Sequence, residues 1–70
     1  MNDNMMTGQR WVAFGQAGAV GSIEHTDDGY TVRFLDDDEP RGTYPTLQVA
    51  KSALHAAMTP GSDWPEFREH

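Results

Sequence analysis

The sequence predicts an α+β fold: a three-stranded antiparallel sheet, to which a further short N-terminal strand can be added, packed on one C-terminal helix. Three observations carry this. Tyr30-Thr31-Val32-Arg33-Phe34 alternates apolar and polar residues at the strand period, and a two-residue turn signal, Asp28-Gly29, precedes it. Leu47 to Met58 contains no Gly or Pro and holds four alanines, Ala50, Ala53, Ala56 and Ala57, the best helix former. Between them, Gly42-Thr43-Tyr44-Pro45-Thr46 reads as a strand end, a corner and a hydroxyl cap.

In chain order, residues 1–9 are polar and unpatterned and are expected as a disordered arm. Arg10-Trp11-Val12-Ala13-Phe14 has the aromatic and branched content of a short strand. Gly15, Gly18 and Gly21 follow at a spacing of three. That is neither the dinucleotide fingerprint nor a phosphate loop, since no Lys-Ser or Lys-Thr comes after it. A turn with bulges accounts for it.

Val20 to Leu35 reads as a hairpin. With Asp28-Gly29 as the loop, Glu24 faces Arg33, His25 faces Val32 and Ile23 faces Phe34. One side then carries Ile23, His25, Tyr30, Val32 and Phe34, and the other Glu24, Thr26, Thr31 and Arg33. A one-residue slip would turn the apolar set to water. Asp36-Asp37-Asp38-Glu39-Pro40 must be a solvated loop, and Arg41 to Tyr44 supplies the third strand.

Pro45 ends that strand, because it lacks an amide hydrogen and biases Tyr44 to extended geometry. Thr46 is the N-cap. Leu47, Ala50, Leu54 and Met58 (or Ala57) recur at helical spacing and form a thin apolar stripe, so the helix can approach the sheet closely. The domain therefore spans 10–58, and 59–70 is a tail carrying Trp64 and Phe67. These aromatics either fold back over an open end of the core or anchor a partner.

Seventy residues allow one domain, and a chain of this size hides only about 60% of its extended surface. Eleven acidic against five basic residues give a net charge of −6, which repels phosphate backbones and anionic lipid and favours either basic partners or plain solubility as an acidic protein. No apolar run reaches membrane-spanning length. The first six residues lack the basic head and apolar run of a signal peptide, and without cysteine no disulfide framework forms. A cytoplasmic location is the expectation.

Glycine, an alternating strand, a loop, then Gly42, Thr43, Tyr44, Thr46, Ala50 and Ala53 resemble a known small fold. It is similar to the sheet-plus-helix domain of plant ethylene-response-factor DNA-binding proteins and to the arm-binding N-terminal domains of tyrosine-recombinase integrases. Tyr30, Val32 and Phe34 match the central strand, and the likeness covers roughly Val20 to Met58. It implies a three-stranded sheet on one helix, with the exposed sheet face meeting the DNA major groove through several Arg and Trp residues. By position that face here offers Glu24, Thr26, Thr31 and Arg33, one arginine opposed by a glutamate.

No residue set assembles a catalytic or cofactor site. His25, His55 and His70 lie on different elements: His25 is expected at the rim of the core bonded to backbone, and His55 solvated on the helix. The Asp36–Glu39 run lacks the ligand spacing of a calcium loop, and a zinc set is missing. The chain is thus expected to be a non-enzymatic protein-interaction module, without cofactor or metal, with a homodimer through an edge strand as an alternative partner. Its expected contact residues are Trp11, Glu24, Thr31, Arg33, Trp64 and Phe67. Two other readings are a nucleic-acid-binding domain of the resembled type and an acidic DNA mimic that blocks a DNA-binding protein.

Overall fold

The computed structural model describes residues 8–58 and 60–70. Strands β1 (Arg10–Gly15), β2 (Gly18–Thr26), β3 (Gly29–Phe34) and β4 (Gly42–Tyr44) precede helix α1 (Leu47–Ala56), and β5 (Glu66–Glu69) closes the chain. All strand pairs are antiparallel, in the order β4-β3-β2-β1-β5. The class is α+β. The sheet has five strands: the three expected, the further short N-terminal strand expected at Arg10–Phe14, which is β1, and a fifth that was not expected.

The expected tail supplies one of the two additional strands. Glu66 to Glu69 pairs with β1, setting Phe67 opposite Ala13 and Arg68 opposite Val12. At the other end, the expected disordered arm lies outside the described residues as far as Thr7. Gly8 donates its amide to the His25 carbonyl at 2.9 Å, and Gln9 accepts from the His25 amide at 2.9 Å. These two residues therefore extend the β1–β2 pairing.

The central hairpin keeps its predicted faces but closes one residue earlier. Its loop is Asp27-Asp28, so Ile23 faces Val32, Glu24 faces Thr31 and Ser22 faces Arg33. The predicted Glu24–Arg33 pairing is replaced. A shift of the loop by one residue moves each partner by two, which preserves the side to which every residue points. Between β1 and β2 the register breaks after Ala13, leaving Val20 as the extra residue of a bulge in the glycine-spaced segment.

Pro45 ends β4, and the Thr46 hydroxyl accepts from the Val49 amide at 3.1 Å, capping α1. The helix stops at Ala56, two residues short of expectation. The Ala57 amide is shared between the Ala53 and Leu54 carbonyls and the Met58 amide turns to His55, which tightens the last turn.

Helix α1 lies over β3 with β2 and β4 beside it. Ala13, Ile23, Val32, Ala50 and Leu54 are the buried core. Trp11, Tyr30, Phe34, Tyr44, Leu47 and Phe67 pack around it half-buried. Ile23, Val32 and Leu54 are the core's largest fully buried side chains, each worth about 1.5–3 kcal/mol of burial. Ala50 is fully enclosed where the helix meets the sheet. An Ala50→Leu substitution should therefore cost about 1–3 kcal/mol through overpacking. A urea midpoint equal to that of the parent chain would contradict this close docking.

Candidate interaction surface

Helix α1 covers one side of the sheet, and the opposite side carries no other element among the described residues. Because directly paired residues share a side, the register builds this bare surface row by row. One row runs Thr43–Thr31–Glu24–Arg10 across β4, β3, β2 and β1. The next runs Arg33–Ser22–Val12–Arg68 across β3, β2, β1 and β5. With adjacent strands about 4.8 Å apart, the two arginines at the ends of that row stand roughly 14 Å from each other at the backbone. Phe14 and Glu66 continue the surface beyond it.

Short-range bonds hold these side chains in place. The Thr31 and Thr43 hydroxyls meet at 2.9 Å. Arg33 Nη1 donates to the Asp38 carbonyl at 3.1 Å, and Arg68 Nε donates to Glu66 Oε2 at 3.0 Å. The Arg68 guanidinium also lies over the Phe14 ring, 5.1 Å from its centre. The Arg68–Glu66 pair is solvent-exposed and worth about 0–1 kcal/mol, so a partner can replace it at little cost.

The charge is segregated. Three of the five basic residues, Arg10, Arg33 and Arg68, stand on the bare side against Glu24 and Glu66. Much of the acid is displaced to the sheet ends, in the Asp27-Asp28 turn and the Asp36–Glu39 loop. A chain of net charge −6 thus presents a weakly positive side around the small apolar centre made by Val12.

The six expected contact residues do not form one site. Glu24, Thr31 and Arg33 come together on the bare side. Trp11 instead turns to the helix side, its ring 6.0 Å from that of Tyr30. Phe67 also faces the core, with Lys51 Nζ 5.1 Å from its ring centre. Trp64 remains 51% exposed, standing at the sheet end between His55 (5.0 Å) and Phe67 (6.2 Å). The residues missed by the sequence reading are Arg10, Val12, Phe14 and Arg68. For Arg10, Val12 and Phe14 the signal was the odd–even alternation of β1, masked because both of its sides carry apolar residues, whereas Arg68 had none in its own strand.

The histidines depart from expectation in detail. His25 faces the core and stacks flat on Tyr30, with ring centres 4.3 Å apart. Its Nδ1 is buried and has no hydrogen-bond partner among the described residues, where a backbone bond was expected. His55 is half-buried rather than solvated, and its Nε2–H donates to the Ser62 carbonyl at 2.9 Å. Among the described residues no group of three His, Asp or Glu side chains is placed to hold a metal ion. No helix there is long and apolar enough to cross a membrane.

Both sheet edges are short. β4 has three residues followed by Pro45, and β5 has four, charged at three positions and preceded by Pro65. Such features blunt strand addition. Comparison with protein-family models, curated proteins and solved structures finds no match to this chain.

Proposed function

We propose that this chain is a small non-enzymatic protein-interaction module whose partner docks on the bare side of the sheet. One observation carries the reading: a four-strand row places Arg33 and Arg68 at either end of a Ser22–Val12 centre, with no other element over it among the described residues. Flat apolar ground bordered by arginines suits a protein surface, since interface anchors are enriched in Arg and surrounded by polar rim. The short edges, one closed by Pro45 and the other charged, turn the reading away from a homodimer by strand addition. The test is affinity purification of the tagged chain after nuclease treatment, beside an Arg33→Glu/Arg68→Glu variant whose fold is checked by circular dichroism. The parent should retain protein partners that the variant loses. An unchanged partner set in the variant would remove this surface from the function.

A second reading, duplex DNA on the same side, is favoured by the three arginines found there where one was expected. It fits the resemblance to ethylene-response-factor and integrase domains. Three phosphate contacts would give a log–log salt slope of about −2.7. Absence of any mobility shift with duplex DNA at low salt disposes of this reading and leaves the first.

A further inference from the structure

A separate surface lies at the end of the sheet, where the β1–β2 turn, the chain leaving β3, the C-terminus of α1 and the segment before β5 converge. They enclose a groove of about 880 Å³, open to solvent. The described residues include three exposed large aliphatic or aromatic side chains, Leu35 (63%), Trp64 (51%) and Val49 (44%). The two most exposed, Leu35 and Trp64, both line this groove, together with Val20 and Met58. Leaving such a pair in water is unfavourable, and their convergence on one concavity marks an interaction site rather than scattered surface.

The charges around it select the occupant. Asp36, Asp63 and Glu66 line the groove, and none of its lining residues is Lys, Arg or His. Glu66 is bonded to Arg68, whereas Asp36 and Asp63 make no ion pair among the described residues. Ala57 and Met58, at the end of α1, also face the groove, so the negative pole of the helix adds to the same field. Anionic lipid and nucleic acid are repelled there, and the net charge of −6 on each copy opposes self-association.

We propose that this groove binds a short segment of a partner protein carrying a bulky apolar side chain next to Lys or Arg. The apolar side chain lies between Leu35 and Trp64, and the flanking cation meets Asp36 or Asp63. This deepens the protein-binding reading by adding a second contact surface that meets the bare side of the sheet only at Phe14 and Glu66, so the Arg33–Arg68 row and the Leu35–Trp64 groove can each fail alone.

The test titrates the full chain with a short alternating Leu–Lys peptide and, in parallel, its Leu–Glu counterpart, followed by amide-resolved NMR and Trp64 fluorescence. The Leu–Lys peptide should shift the amides of Ala17, Leu35, Met58 and Trp64 and leave those of Thr31 and Arg33 in place. The Leu–Glu peptide should leave all of them in place. An Asp36→Asn/Asp63→Asn variant, which keeps shape and removes charge, should bind the Leu–Lys peptide about three- to tenfold more weakly. Leu35→Ser, at an exposed position, should abolish the fluorescence change. Equal response to both peptides, shifts centred on Thr31 and Arg33, or self-association of the chain at the groove would each overturn the proposal.

Discussion

Replacing Leu54 by alanine is expected to remove a large share of the chain's stability. Leu54 is fully buried on α1, in one cluster with Ile23 and Val32, and the other buried helix residue is Ala50. Ala50, one turn away, is too small to fill the space it leaves. A Leu→Ala change in such a site costs about 2–5 kcal/mol. Marginal stability of roughly 0.05–0.15 kcal/mol per residue gives a chain of this length about 3.5–10 kcal/mol in total. Loss of Leu54 therefore removes from a fifth of the total to more than all of it. Thermal unfolding should show a midpoint lower by about 10 °C or more. Val49→Ala, on the same helix but 44% exposed, should stay within about 0.5 kcal/mol of the parent. Similar midpoints for the two variants would mean that α1 does not dock through its Ala50–Leu54 stripe.

The same contrast explains what could be read from the sequence. Helix α1, its Thr46 cap and its buried stripe were legible because local chemistry and periodicity agree there. The apolar side of β2 and β3 was legible for the same reason: alternation survives an error in the turn. The fifth strand was not. Glu66-Phe67-Arg68-Glu69 has a single apolar residue, and its strand geometry comes from pairing with β1 rather than from its own pattern. This long-range pairing also brings Arg68 to the bare side and fixes Phe67 toward the core, so the contact set drawn from sequence was divided between the two sides. The convergence of Leu35 with Trp64 is likewise invisible along the chain, since it depends on where the β3 exit and the segment before β5 meet in space.

The hairpin loop illustrates how one residue pair can carry two different signals. Asp-Gly marks a turn because both positions tolerate positive φ, yet Asp28 does not have positive φ, and Gly29 lies beyond the loop as the first residue of β3. The Thr26 hydroxyl, accepting from the Asp28 amide at 3.2 Å, closes the loop instead. Gly29 is required for another reason. Its φ is +136°, and a side chain there would run into the backbone carbonyl of Tyr44, the last residue of β4 before the corner that launches α1. Gly29→Ala should therefore combine backbone strain of about 1–3 kcal/mol with separation of β3 from β4. Gly18→Ala separates these effects. Gly18 has a similar φ of +120°, but nothing lies within 4 Å of the position its Cβ would take. It should show the strain alone. Gly29→Ala should unfold at clearly lower urea and lose hydrogen-exchange protection at the Arg41 amide, which bonds to Val32 beside β4. Equal urea midpoints for the two variants would mean that close approach of β4 does not dictate glycine at this position. The corner would then owe its placement to Pro45 and Thr46 alone.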